Sequence, residues 1–159
     1  MARKIKAGKF KYGLETVLKV RKIREKKEQE KFAEKKREYL KEKEEEDKLR
    51  YRKKSEENVI RDAFKKGPIS DFEKVMRRHA NLGILKENIE TQVEKVIEAS
   101  KKLEDQREKL IASVKDKKIM EKDKENTLKK YNKLMQDLEL QFLDEIATQR
   151  YQRDRKQEE

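Results

Sequence analysis

Hydrophobic residues in the second half of the chain recur at alternating steps of three and four residues, the spacing of a coiled-coil seam. One seam position is apolar without interruption and consists of Leu82, Ile89, Val96, Leu103 and Leu110. The predicted second seam position is mixed in character and consists of Val93, Ser100, Arg107 and Val114. Both positions are polar from 117 to 124, and apolar residues return from 128 to 142. The pattern predicts one long helix over residues 71–155, with two apolar zones separated by a polar break.

A thinner apolar stripe in one heptad phase runs along the first half of the chain and comprises Leu14, Leu18, Phe32, Tyr39, Leu49, Ile60 and Ala63. The remaining seam positions are charged and include Arg21, Glu25, Glu28, Glu42 and Glu46. We predict a first helix over residues 14–66. Because a helix gains most of its stability in a protein by packing an apolar face, this helix needs a partner.

A single strong break separates the two predicted helices, at Lys66-Gly67-Pro68-Ile69-Ser70. Glycine can adopt the left-handed conformation that ends a helix, and proline cannot continue one. Ser70 and Glu73 match a capping box, which begins the next helix. The break therefore predicts a turn at residues 67–70 that joins two neighbouring helices.

The two helices are predicted to pack along each other, with residue i of the first opposite about residue 137 − i of the second. This pairing brings apolar positions together, for example Phe32 with the region of Leu103. The predicted fold class is all-α: an antiparallel two-helix coiled coil, or α-helical hairpin, with unequal arms. We predict one such domain over residues 1–159, with a basic segment at 1–13.

The second helix is predicted to extend about 32 residues, or about 48 Å, beyond the first. The extension is rich in apolar residues, namely Leu128, Tyr131, Leu134, Met135, Leu138, Leu140, Phe142, Leu143, Ile146 and Tyr151. Either the N-terminal segment folds back along this stripe or a protein covers it, and a second copy of the chain is one such protein.

Charge is distributed unevenly along the chain. Half of all residues are charged and 33% are hydrophobic, which is too polar for an ordinary globular core. The net charge is +12, and residues 1–27 alone carry 11 basic and 2 acidic side chains. Because both chain ends lie at the same end of the predicted hairpin, the basic segment and the apolar extension are neighbours. Such a surface fits an acidic, partly apolar partner.

The residue types needed for catalysis or metal binding are scarce. The chain has no cysteine, a single histidine, His79, and four scattered glycines, so we predict no enzyme activity, no metal site and no cofactor. No apolar stretch approaches the ~18 residues of a membrane span, and we expect a cytosolic protein. Nucleic-acid binding is disfavoured because most of the basic excess lies within the first 27 residues. A purely structural homodimeric coiled coil remains an open alternative.

Two terminal motifs resemble a known family. The chain opens with Phe10-x-Tyr12-x-Leu14-x-x-Val17-Leu18-x-x-Arg21 and closes with Phe142-Leu143-Asp144-Glu145-Ile146-Ala147-x-x-Arg150. With charged heptads and a turn before the midpoint, these motifs resemble FliJ, the small coiled-coil component of the flagellar type III export apparatus. The resemblance spans nearly the whole chain.

The resemblance implies a non-enzymatic adaptor similar to the central-stalk γ subunit of rotary ATP synthases. It implies binding to the export ATPase FliI, promotion of its ring assembly, contact with the export gate protein FlhA, and contact with export chaperones. These partners imply a location at the cytoplasmic face of the inner membrane, at the flagellar basal body. By position, the ATPase-facing tip comprises Phe10, Tyr12, Leu14, Val17, Leu18, Arg21, Leu138, Phe142, Ile146 and Arg150. The gate-facing candidates are Leu82, Leu85 and Ile89.

Overall fold

In the described part of the chain, the fold consists of two long helices. The computed structural model describes residues 9–65 and 71–158, with the side chains described as far as residue 153. Helix α1 spans Glu15–Lys65 and helix α2 spans Phe72–Glu158. The two helices pack against each other as an antiparallel coiled coil, so the predicted fold class is confirmed. The predicted turn at 67–70 lies outside the described residues.

The chain divides into two compact units. Unit 1 combines Met1–Arg24 with Val114–Glu159, and unit 2 comprises Glu25–Ser113. Each unit contains a segment of α1 and a segment of α2. In both units the helix pair buries a narrow seam, as expected for a chain in which half of the residues are charged.

The N-terminus of α2 is capped by Asp71. Its carboxylate accepts a hydrogen bond from the backbone N–H of Lys74 at 3.0 Å, which satisfies one of the free donors of the first turn. The capping box predicted from the sequence assigned this role to Ser70, which lies outside the described residues. The structure places the capping side chain one residue later, directly before the first helical residue, Phe72.

The α1 seam in unit 2 carries a carboxylate at its centre. Glu46 is only 4% exposed, and it is held by the Lys43 ammonium at 2.8 Å and the Arg50 Nε at 2.6 Å. These hydrogen bonds, first that of Lys43 and then that of Arg50, lower the pKa of Glu46. The negative charge of Glu46 is therefore balanced by two cations of its own helix.

The second seam position of α2 differs from the predicted one. The buried residues at this position are Leu85, Gln92, Gln106 and Ser113, all spaced by multiples of seven. In contrast, Ser100 and Arg107 of the predicted position are exposed, and Val93 and Val114 are only half-buried at the edge of the seam. Counting apolar residues gave the wrong position because three of these four seam residues are polar. Gln92 and Gln106 have their hydrogen-bond partners in α1, and Ser113 has its partner, the Leu110 carbonyl oxygen, in α2.

Hydrogen bonds between the helices define the register of unit 2. The Gln92 side-chain amide donates to the Glu42 carboxylate at 2.7 Å and to the Glu42 carbonyl oxygen at 2.9 Å. Gln106 repeats this arrangement with the Glu28 carboxylate at 2.5 Å and carbonyl oxygen at 3.4 Å. Nearer the predicted turn, Arg78 bonds to Glu56 at 2.7 Å.

The two residue numbers total 134 in all three of these pairs, so residue i of α1 lies opposite residue 134 − i of α2 in unit 2. The predicted register was about 137 − i, three residues away. Apolar matching across a thin stripe tolerates a shift of this size. Directional hydrogen bonds do not, because a glutamine that loses its partner leaves a buried amide unsatisfied.

Candidate protein-interaction site

In unit 1, the residues that precede α1 lie against α2. We call residues 9–14 the strap; they are non-helical and lead directly into Glu15. The Phe10 ring packs on the Tyr131 ring with centroids 5.5 Å apart and an interplanar angle of 51°. This is the geometry that aromatic quadrupoles favour over face-to-face stacking. The strap therefore covers part of the apolar stripe that the sequence left without an intramolecular partner.

Tyr12 anchors the strap to the polar stretch of α2. It is buried, its hydroxyl donates a hydrogen bond to the Asp123 carboxylate at 2.6 Å, and the same oxygen lies 3.5 Å from the Met120 carbonyl oxygen. The Lys124 ammonium lies 5.9 Å from the Tyr12 ring centroid and pairs with Glu15 at 2.5 Å. The polar break predicted at 117–124 is thus the part of α2 that binds the Tyr12 hydroxyl.

The surroundings of Tyr12 favour its protonated form. The hydrogen bond to Asp123 raises the pKa of Tyr12 to about 12, and burial and the negative charge of Asp123 act in the same direction. The Lys124 hydrogen bond lowers the pKa of Glu15. At neutral pH Tyr12 is therefore protonated and Glu15 is ionised, which are the forms that their contacts with Asp123 and Lys124 require.

An alkaline titration is expected to detect the Tyr12 contact. Because the pKa is raised on folding, the stabilisation is complete below pH 10 and is lost as the pH rises to about 12. We expect tyrosinate absorbance of the wild-type chain to include one component with a midpoint near 12. Tyr12→Phe should remove this component, and Asp123→Asn should shift it to lower pH. A titration curve unchanged by Asp123→Asn would contradict the assigned hydrogen bond.

The first turns of α1 also face α2. Leu18 is 1% exposed, and Arg21 forms an ion pair with Asp116 at 2.8 Å. By contrast, Leu14 is 46% exposed and Val17 is 41% exposed, so both are accessible to a partner. Of the predicted tip residues at this end, Tyr12 and Leu18 are therefore packed internally, and Leu14 and Val17 face outward.

The C-terminal part of α2 keeps an accessible apolar surface. Leu138 is 39% exposed, Phe142 and Ile146 are half-buried, and Arg150 is exposed. Leu134 and Leu143, which were not assigned to the tip, are even more exposed than Leu138. The closing motif therefore presents apolar side chains in a region where no α1 residue is paired with α2 by a described hydrogen bond or ion pair.

A cleft that the sequence did not reveal lies where the strap crosses α2. It has a volume of about 550 Å³ and is lined by Lys9, Phe10, Lys11, Thr127, Lys130, Tyr131, Leu134 and Met135. Its walls are apolar and its rim carries three lysines. The apolar residues that α2 contributes to the cleft were recognisable in the sequence. The positions of the rim lysines depend on how the strap folds onto α2, and no local sequence pattern predicts this.

The three gate-facing candidates lie in the seam of unit 2. Leu82, Leu85 and Ile89 are all buried, at 8%, 9% and 8% exposure. Their heptad spacing marks residues that pack against α1. The apolar residues that a partner can reach in the same stretch are Phe72, Met76 and Ile84, which are 62%, 53% and 57% exposed.

The described part of the chain offers neither a cluster of metal ligands nor a membrane-spanning helix. Residues 9–65 and 71–158 contain no group of three or more His, Asp or Glu side chains placed to hold a metal ion. No helix among them is both long enough and apolar enough to cross a membrane.

Comparison with known proteins identifies the family. The family model described as flagellar FliJ protein matches residues 10–156. The chain belongs to the FliJ family. The resemblance carried by the two terminal motifs is thereby confirmed, and this FliJ-family chain is a protein associated with flagellar type III export.

A solved structure supports the same assignment of the FliJ-family chain. It is that of CT670 from Chlamydia trachomatis, described as a candidate YscO homologue. The two share 25% sequence identity with a TM-score of 0.58, over 90% of this chain and 96% of CT670. No curated protein matches the sequence.

Proposed function

We propose that this FliJ-family chain is a non-catalytic adaptor of the flagellar export apparatus. It binds the export ATPase FliI through the surface formed in unit 1 by the strap, which includes Leu14, by Val17 and by the C-terminal part of α2. Binding promotes assembly of the ATPase ring. The chain also contacts the export gate protein FlhA and export chaperones, and works at the cytoplasmic face of the inner membrane.

The observation that carries the proposal is the accessible apolar surface of α2 beyond the strap. Large apolar side chains on exposed helix faces mark contact sites when they form a continuous stripe, and Leu134, Leu138 and Phe142 follow one another at helical spacing. Lys9, Lys11 and Lys130 lie beside this stripe. A central opening in a protein ring, lined by acidic and apolar residues, would complement such a surface.

Contact with the gate protein is proposed through unit 2. Because Leu82, Leu85 and Ile89 are occupied by α1, we assign them the role of holding this part of α2 in place. The exposed side chains Phe72 and Met76 are those that a gate protein would touch.

ATPase stimulation tests the proposed FliI contact. We expect the wild-type chain to accelerate ATP hydrolysis by its organism's purified export ATPase and to promote ring formation. Leu138→Asp and Leu14→Asp should each raise the concentration of the chain needed for half-maximal stimulation by about tenfold. A loss of about 1.4 kcal/mol of binding free energy has this effect. Both substitutions are at accessible positions, so the helices should be retained.

The matched control is Leu40→Asp. Leu40 lies on α1 in unit 2 and is 53% exposed, comparable to the two tip positions. Its substitution should leave stimulation unchanged. If the wild-type chain changes neither ATP hydrolysis nor ring formation, the adaptor function is refuted. If Leu40→Asp and Leu138→Asp reduce stimulation equally, only the location of the contact is refuted.

A further inference from the structure

Unit 1 contains two adjoining stretches of α2 with opposite charge. Residues 114–133 hold eight basic and four acidic side chains. Residues 134–149 hold four acidic side chains and no basic one. A helix with a basic half followed by an acidic half is complementary to a second copy of itself running in the opposite direction.

The basic half carries the lysine-rimmed cleft. Lys9, Lys11 and Lys130 surround apolar walls formed by Phe10, Tyr131, Leu134 and Met135. Among the described residues, none of these three lysines takes part in an ion pair. By contrast, Lys124 and Lys129, which lie in α2 as Lys130 does, both form ion pairs. The rim therefore has unused positive charge next to an apolar space large enough for one or two side chains.

The acidic half carries the matching surface. The apolar stripe continues through Leu138, Phe142 and Ile146, and the carboxylates of Glu139 and Glu145 flank it. Asp137 and Asp144 lie further round the helix, and within residues 9–65 and 71–153 none of the four side chains forms an ion pair. At 100° per residue, Glu145 lies on the same side of the stripe as Lys130.

We propose that two copies of the chain associate antiparallel through residues 127–149 of α2, around a two-fold axis close to residue 137. In this arrangement Phe142 of one copy enters the cleft beside Tyr131 of the other, and Glu145 of one copy lies opposite Lys130 of the other. A two-fold axis makes both contacts occur twice, because each copy presents the cleft and the acidic stripe to its partner.

The two-way match favours a second copy over an unrelated acidic peptide. A peptide could fill the cleft but would leave the acidic stripe of residues 134–149 unpaired. A second copy satisfies both surfaces with the same contacts. Burial of the apolar stripe supplies the affinity, and the charges set the direction and the register of the pairing.

The pairing stands independently of the proposed adaptor function, but it bears on it. Leu138, Phe142 and Ile146 take part in both the dimer and the proposed ATPase contact. A chain held in the dimer is therefore unable to engage the ATPase through this surface, and the two states exclude each other.

Sedimentation of the full chain at low salt tests the pairing. We expect the wild type to shift from monomer to dimer as its concentration rises through about tens of micromolar, the range typical of a small interface. Glu145→Lys and Lys130→Glu should each weaken dimerisation at least about tenfold, because each places like charges opposite one another twice. An equimolar mixture of the two variants should dimerise, because both contacts are then of opposite charge.

Glu90→Lys serves as the charge-matched control, since Glu90 is exposed and lies in unit 2, and it should dimerise as the wild type does. Circular dichroism checks that all variants keep their helices. A wild type that stays monomeric at every concentration overturns the proposal, and the cleft is then a binding site for a different protein. A dimer unaffected by either charge reversal, or a mixture that stays monomeric, also overturns it.

Discussion

Replacing Leu18 by aspartate is expected to destabilise unit 1 by about 3–5 kcal/mol, because an unpaired charge would replace a buried apolar side chain. Leu18 is 1% exposed and is the largest fully buried side chain among the described residues. It faces α2 between the Glu15–Lys124 and Arg21–Asp116 ion pairs. Neither pair can compensate the new carboxylate without giving up its present partner.

Hydrogen exchange measures the effect where it occurs. The backbone amides of residues 15–24 should lose protection in Leu18→Asp, and the amides of unit 2 should keep more of theirs, since local opening need not involve the whole molecule. The control is Leu14→Asp, one turn earlier at a site 46% exposed, which should change stability by less than about 0.5 kcal/mol. Wild-type protection in Leu18→Asp would show that this segment is not packed as described.

The opening motif shows why contact residues are hard to separate from packing residues in a sequence. Its aromatic and aliphatic positions were all assigned to a partner-facing tip, but Tyr12 and Leu18 are buried against α2. Large apolar residues at the start of a helix serve packing and docking equally well. Only the position of α2 distinguishes them, and that position depends on the register of two segments about 110 residues apart.

The two helices were predictable because the three-four spacing of apolar residues is a local property of each. The seam of α2 was only half predictable, since Gln92 and Gln106 resemble surface residues until their partners in α1 are known. One signal was present: they lie 14 residues apart, as do Glu28 and Glu42. Matched polar residues two heptads apart on both helices indicate polar layers within a seam, and this would have corrected the register by three residues.

Replacing Gln92 by glutamate should destabilise unit 2 by about 2–4 kcal/mol at neutral pH, although the two side chains have nearly the same shape. Gln92 is 7% exposed, and its amide donates to both oxygens of Glu42 described above. A carboxylate at this position can donate to neither. It also places a second negative charge within hydrogen-bond distance of the first.

Two further variants separate shape from charge. Gln141→Glu makes the same substitution at an exposed site of α2 and should change the free energy of unfolding by less than about 0.5 kcal/mol. Gln92→Leu introduces no charge but removes both hydrogen bonds to Glu42, which is half-buried and can bond to water instead, so its loss should be about 1 kcal/mol and smaller than that of Gln92→Glu. Chemical denaturation followed by circular dichroism measures all three.

The pH dependence of Gln92→Glu provides the decisive measurement. Acid should reduce the loss of stability caused by this substitution, whereas acid usually lowers the stability contributed by carboxylates in ion pairs. Two neighbouring carboxylates bind a shared proton more tightly when folded than when the chain is unfolded, so the loss relative to wild type is present at neutral pH and shrinks as the pH falls towards about 4. Glu28 and Glu46 have lowered pKa values and lose their stabilising contacts in acid in the wild type and in the variant alike, so they do not change the difference in stability between the two. The variant should therefore approach the wild type on acidification, while Gln141→Glu shows no such convergence. If the stability difference were instead constant with pH, the Gln92 amide would not be bonded to Glu42, and the polar layers would not set the register.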